Sequence, residues 1–426
     1  MLTKPFRALS VEIQRGVKNS LYLTVANLLT TLITLVGFVY IPNRLGVHDF
    51  GIYTLALSFV ALFHVFGFNG LHKVIIRETL LDRTYLESTI NNLFNFQLTI
   101  ALIQMITIIL IAMVIPSYDH EIILIIILAS HLMLFKGLRG IPTAILQAHE
   151  EMKTLAKINV THSLVRVLGI VTILFFVNDL ILVMLYILMV NLLFIFIYYR
   201  AMGELMEFHL HLTPQAVKIP KKYLKQGFVF TLIGVGSLLS TKIDLFMLSL
   251  MGEIKEIAIY GLSEKIIAQF EMLRGVILTA FYPIVIQQFN KKILRLKSLY
   301  LIAGSIFFGM ALLALFYSSI AQEIIPFLYA QEYHGTIEIS VVLFFYLVFF
   351  FANLPFSTAL QSVGLERYIL YMYPFSILLN VTLNYYLYQS MGVIGFAYST
   401  LVVQAFILLF LMGIGSYQLK KKGFVR

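Results

Sequence analysis

Apolar stretches of helical spanning length alternate with short polar or basic connections along the whole chain. Twelve such stretches fall near residues 19–40, 51–72, 91–116, 121–138, 156–177, 180–200, 227–250, 258–283, 298–320, 338–360, 368–389 and 391–414. Each is long enough for a helix to cross about 30 Å of hydrocarbon and far longer than the roughly 9–11 residues of a barrel strand. The pattern predicts an all-α polytopic membrane protein with twelve transmembrane helices. The longest polar interval, Ala201 to Gln226, separates six stretches from six. It predicts an N-terminal lobe over 1–208, then a linker and C-terminal lobe over 209–426. Pro214, Pro220 and the basic-apolar mixture around them predict a short helix lying at the membrane surface.

Composition excludes the soluble class: 60% of the residues are hydrophobic and 12% charged, against about 25% charged in an ordinary soluble domain. The net charge of +10 is a topology signal. The lysines and arginines of the connections gather at the termini and in the even-numbered loops, while the opposite loops hold only Arg44 and Lys255. The positive-inside rule then puts both termini in the cytoplasm. No compact basic domain exists to present a nucleic-acid surface, so no nucleic-acid partner is expected. The polar, basic start of the chain lacks a small-residue cleavage site, so no cleavable signal peptide is expected. With no cysteine, the chain has neither a disulfide nor a thiol nucleophile.

Catalytic patterns are missing too. There is no phosphate-binding glycine-lysine loop and no metallopeptidase histidine pair. His209 and His211 make a poor metal site without acidic neighbours, and read as part of an interfacial loop. No enzyme activity, metal or cofactor is expected. Energy for transport would come from a substrate gradient or from a coupling ion, a proton or sodium.

The candidate chemistry lies in charges embedded in apolar runs, each costing roughly 2.5–3.5 kcal/mol at a span centre on an insertion scale. Lys242 and Asp244 in "STKIDLFMLSL" point about 200° apart on a helix, so each needs a partner on another element. In the following span, Glu264 and Glu271 share a face. Arg274 lies about 60° from Glu271 and is expected to bond to it. Lys265 projects to a different face, toward Asp244. In the first half, His162 and Arg166 lie four apart on one face, with Arg166 near mid-span and Asn159 near the end. His64 and His131 read as interhelical donors. Substrate-binding candidates are Arg166, Arg274, Lys242, Lys265 and His162; charge-balancing or ion-coupling candidates are Asp244, Glu264 and Glu271. Four bases against three acids give a slightly cationic interior, which favours an anionic head group, and arginine grips phosphate bidentately. A faint internal echo sets Gly46 before Tyr53 and Gly252 before Tyr260, as two parallel half-bundles would.

Four segments carry a family resemblance. "IPNRLGVHDFGIYTLALSFVALFHVFGFNGL" (41–71), "ILQAHEEMKTLAKINVTHSLVRVLGI" (145–170), "KQGFVFTLIGVGSLLSTKIDLFMLSLMGEIKEIAIYGLSEKI" (225–266) and "LNVTLNYYLYQSMGVIGFAYSTL" (379–401) resemble polysaccharide and O-antigen flippases of the multidrug, oligosaccharidyl-lipid and polysaccharide exporter superfamily. The resemblance implies two six-helix lobes forming a V-shaped transporter. It also implies movement of undecaprenyl-pyrophosphate-linked oligosaccharide repeat units from the cytoplasmic to the external leaflet of a bacterial inner membrane by alternating access. The family's seventh-helix aspartate, its preceding base and its following tyrosine match Asp244, Lys242 and Tyr260. Partners so implied are a polyprenyl-pyrophosphate-linked glycan and membrane lipids, with a glycan polymerase as a candidate. Twelve spans depart from the fourteen of the lipid II flippase branch. The first span, "SLYLTVANLLTTLITLVGFVY", lacks the acid common in the cation-coupled multidrug branch. Two alternatives stand beside this reading: a cation-coupled multidrug exporter, with Asp244, Glu264 and Glu271 as ion sites, and a membrane scaffold in a glycan-assembly complex.

Overall fold

A computed structural model describes residues 11–67, 71–81, 83–205, 236, 242–290, 295–365 and 367–421, and the regular elements among them are all helical. In the first half they are α1 (Val11–Phe63), α2 (Leu71–Leu81), α3 (Arg83–Val114), α4 (His120–Ser130), α5 (Leu132–Ala148), α6 (Met152–Phe176) and α7 (Leu180–Gly203). In the second half the longer ones are α8 (242–251), α9 (Ile254–Asn290), α10 (Leu296–Leu328), α11 (Thr336–Ala352), α12 (Leu354–Ser362), α13 (Arg367–Met391) and α14 (Ile394–Phe410), which continues through a π-helical turn into a short last helix, Ser416–Lys421. The predicted membrane-surface helix of the linker lies outside the described residues.

Eight helical stretches among the described residues are long and apolar enough to cross a membrane, and the twelve predicted spans map onto them with clear causes for each difference. The stretch Leu21–Phe63 holds two spans, since its 43 residues would reach about 65 Å as one straight helix. It breaks at Gly46, whose backbone (φ 73°, ψ 173°) belongs to a region open essentially to glycine alone. Span seven lies largely outside the described residues. Spans eight and eleven correspond to α9 and α13, which are diluted by charged and amide side chains, respectively.

Two predicted spans are each built from two helices. Span four breaks at His131, between α4 and α5, and span ten breaks at Asn353, between α11 and α12. The broken spans are the fourth of each predicted half, and Gly46 and Gly252 of the faint echo both fall between helices.

By their internal contacts the residues form two compact units. The first takes Met1–Asp49 and Phe59–Val235, the second Phe50–Ser58 and Gly236–Arg426. Side chains on the surface include Phe308, Leu312 and Phe327, whereas Asn191, Asp244, Asn380 and Asn384 are almost fully buried. That distribution suits hydrocarbon, where backbone and side-chain polar groups must be satisfied inside the protein.

Substituting Gly46→Ala should lower the melting temperature in detergent, because the new side chain is forced into a backbone region costing on the order of 1–3 kcal/mol. Gly304→Ala is the matched control: its Cβ would meet open space within α10, and alanine is the better helix former by about 1 kcal/mol. An equal melting temperature for Gly46→Ala and wild type would show that the break does not depend on glycine.

Candidate functional site

The buried carboxylate of the second unit is caged by three helices besides its own. Asp244, on α8, is 4% exposed. Its Oδ2 accepts from Tyr260 Oη on α9 (3.0 Å) and from Thr400 Oγ1 on α14 (2.5 Å), and its Oδ1 accepts from Asn384 Nδ2 on α13 (2.8 Å). Asn384 Nδ2 also reaches Asn380 Oδ1, one helical turn away, at 2.9 Å. Without such donors a carboxylate at this depth would carry its full desolvation cost. The cage keeps two orphans among the described residues: the buried Asn380 Nδ2 and Asn384 Oδ1 have no hydrogen-bond partner. A tight turn at Gly252 leads α8 into α9, and a Cβ there would lie 2.7 Å from the Glu256 carboxylate.

The charges around the cage pair differently from the sequence expectation in two places. Lys242 forms an ion pair with Glu264, so Lys242 and Asp244 take separate partners, as their opposite directions on the helix require. The expected Glu271–Arg274 bond does not form. Glu271 instead accepts from Tyr346 Oη (3.0 Å). Arg274 donates to Phe350 O (3.0 Å) and Asn353 Oδ1 (2.9 Å), with its guanidinium 4.1 Å from the Phe350 ring centroid. The cause is the break at Asn353. The last turn of α11 leaves carbonyls without helical partners, and a cation is favoured at that negative end of the helix dipole.

Lys265 likewise does not approach Asp244. Its Nζ lies 4.3 and 5.0 Å from the ring centroids of Phe50 and Tyr53 and donates to Thr54 Oγ1 (3.3 Å). Gly261, one turn earlier, permits the close approach, since a Cβ there would fall 2.2 Å from Thr54 Cγ2.

These groups border a cavity of about 430 Å³ within the second unit. Lys242, Asp244, Glu264, Glu271 and Arg274 all line it, together with the amides of Asn353, Gln361 and Gln404. With three acids and two bases its formal charge is negative, which corrects the expectation of a cationic interior for this unit. Lys265 has turned away, and Arg166 belongs to the first unit.

In the first unit, His162 is 6% exposed and packed between Phe135 and Phe194, at 5.0 and 4.6 Å between centroids. Its Nε2 donates to Asn191 Oδ1 (3.1 Å), Asn191 Nδ2 donates to His131 Nε2 (2.9 Å), and His131 Nδ1 donates to Leu128 O. This chain ties α4, α6 and α7 together and gives His162 an interhelical role. Tyr198 Oη donates to Asn159 Oδ1 (2.5 Å) along the same interface. Arg166, near the middle of α6, is half-buried and makes no hydrogen bond or ion pair among the described residues. His209 and His211 lie outside the described residues.

The amide members of the site, Asn380, Asn384 and Gln404, escaped the sequence reading. The signal for the first pair is their spacing, four apart on a helix and hence on one face.

The second unit thus joins a charged, amide-lined cavity to a set of apolar helices long enough to cross a membrane. The chain belongs to the polysaccharide biosynthesis protein family, whose sequence profile matches residues 17–289. No curated protein sequence matches it. In fold it is similar to the lipid II flippase MurJ in an inward closed conformation, with TM-score 0.70, 16% identity and coverage of 94% of this chain and 88% of that one. It is equally similar to an inward-facing multidrug resistance MATE family transporter of the MOP superfamily, with TM-score 0.70, 16% identity and coverage of 92% and 95%. A MOP superfamily transporter from Pyrococcus furiosus, described as having a binding pocket of reversed polarity, follows at TM-score 0.60, 15% identity and 96% coverage of each chain.

Asp244→Ala should lower the melting temperature in nanodiscs well below that of Tyr260→Phe. The first takes the shared acceptor from three donors, of which Thr400 can turn to Phe396 O and Asn384 keeps Asn380 Oδ1, at roughly 1–3 kcal/mol for each that stays unsatisfied, and the second removes one donor only. A smaller loss for Asp244→Ala than for Tyr260→Phe would mean that the cage does not hold these helices together.

Proposed function

We propose that the protein is a flippase that carries undecaprenyl-pyrophosphate-linked oligosaccharide repeat units from the cytoplasmic to the external leaflet by alternating access. On this reading it lies in a bacterial inner membrane with both termini cytoplasmic and acts as a transporter, not an enzyme. The observation that carries the proposal is the match to the polysaccharide biosynthesis family over residues 17–289. The fold supports it, since a lipid II flippase shares that fold over nearly the whole chain. So does a polar cavity inside an otherwise apolar helical body, which is what a substrate with a hydrophilic head and a lipid tail needs.

Arg166 is the proposed contact for the pyrophosphate. Its guanidinium is half-buried near the middle of α6 with no carboxylate bound among the described residues, and its planar fork suits phosphate oxygens. Arg274 has committed two donors and one face to the end of α11, so its proposed part is to hold the Asn353 break beside the cavity. The coupling ion, a proton or sodium, would bind at Asp244, where the oxygens of Thr400, Asn380 and Asn384 are gathered around a buried carboxylate. One observation favours the cation-coupled multidrug exporter as the second reading: the excess of acids over bases in the second-unit cavity suits an organic cation.

Purified protein in liposomes should move a labelled polyprenyl-pyrophosphate glycan between leaflets faster than protein-free vesicles. Arg166→Ala should reduce the rate per inserted protein by about tenfold or more, and Arg166→Lys should restore it only in part, because lysine keeps the charge and loses the fork. Transfer at the wild-type rate in Arg166→Ala rejects the head-group role of that residue. Efflux of cationic drugs without any glycan transfer would replace the flippase reading with the exporter.

A further inference from the structure

We propose that the cavity of the second unit is a sugar site which takes a neutral or amine-bearing residue of the transported glycan and rejects acidic sugars such as uronic acids. This rests on the flippase reading and adds to it the class of glycan.

The first argument is the state of the charged groups. Both bases that line the cavity are already engaged: Lys242 by Glu264, and Arg274 by Phe350 O and Asn353 Oδ1. The acids are less fully used. Glu264 meets Lys242 through Oε1 and Glu271 meets Tyr346 through Oε1, so each keeps its Oε2 without a hydrogen bond among the described residues. Free carboxylate oxygens accept from hydroxyl or ammonium groups and repel another carboxylate.

The second argument is Gln404, on α14. It is 8% exposed, lines the cavity and forms no hydrogen bond among the described residues. Its amide faces the cavity, where a ligand that both donates and accepts can bond to it. Gln361, on α12, is a second cavity amide without a hydrogen bond among the described residues, and it is exposed. Sugar hydroxyls donate and accept, and so match an amide at both ends.

The third argument is the rest of the wall. Ile267, Leu343 and Met372 give apolar surface for the C–H face of a pyranose ring, and Tyr346 and Tyr373 add aromatic surface. The volume of about 430 Å³ is that of a small-molecule site, suited to part of a glycan.

The test uses the full chain in liposomes with three polyprenyl-pyrophosphate probes of equal glycan length, ending in a neutral hexose, a hexosamine or a hexuronic acid. The neutral and amine-bearing probes should cross about tenfold faster than the acidic one. Glu271→Gln should narrow that preference by speeding the acidic probe, a change that mere structural damage would not produce. Gln404→Leu should slow the neutral probe about tenfold with an unchanged melting temperature. Equal wild-type rates for the neutral and acidic probes overturn the proposal, as does an unaltered preference in Glu271→Gln. If no probe moves, the flippase reading has failed separately. Calorimetric binding of free methyl glycosides to wild type and Gln404→Leu then decides the site, with binding of the neutral glycoside lost in the variant expected and stronger binding of the uronate overturning it.

Discussion

A charge placed in hydrocarbon must bring its own solvation, and the second unit is organised around that requirement at Asp244. Its two oxygens collect a phenol, an alcohol and an amide from α9, α14 and α13. The carboxylate therefore acts as a node to which three helices from distant parts of the chain are tied. Apolar contact alone cannot do this in a membrane, since lipid tails solvate leucine as well as another helix does. The directional bonds to Asp244 fix helix rotation as well as proximity. With α9 so oriented, Glu264 meets Lys242 and Arg274 meets the end of α11.

Breaks in the helices serve the same requirement. Where α11 stops at Asn353, exposed carbonyls would be costly in an apolar surrounding, and Arg274 satisfies one of them and the Asn353 side chain. At the break between α4 and α5 in the first unit, His131 bonds back to Leu128 O and onward to Asn191. A polar side chain at each break is thus bound by a polar side chain from another helix. One bond carries a charge and borders a cavity, whereas the other leads through Asn191 to His162, packed between Phe135 and Phe194.

The spans were legible because hydropathy is a sum over about twenty residues and tolerates local exceptions. Directions about a single helix axis were legible too, as with Lys242 and Asp244. Partners across helices were not, since they depend on the rotation of each helix and on breaks that hydropathy passes over. By hydropathy the apolar run containing Asn353 reads as one uninterrupted span; the local signal of its break is Pro355, at the start of α12, which the sum passes over. Lys265 could not be assigned to Phe50, Tyr53 and Thr54 for a related reason: the glycine that admits their contact, Gly261, looks like any other small residue in a span. The amides were underweighted because they carry no charge, yet Asn380 and Asn384 complete the cage and Gln404 lines the cavity.

Charge counting links the two proposed binding events. Around the second-unit cavity, Lys242 and Arg274 face Asp244, Glu264 and Glu271, one acid in excess. A proton or a sodium ion at Asp244 balances that count, so the cavity offers a different electrostatic environment with the ion present than without it. Any substrate whose affinity senses that field is thermodynamically coupled to the ion, and the coupling is reciprocal: the ion also binds differently when the substrate is present. Because α9 and α13 each supply a residue to the Asp244 cage and residues to the cavity wall, the linkage needs no distant relay. Coupling of this kind is a property of one carboxylate and its neighbours, and for that reason it does not require the nucleotide-binding machinery that the sequence lacks.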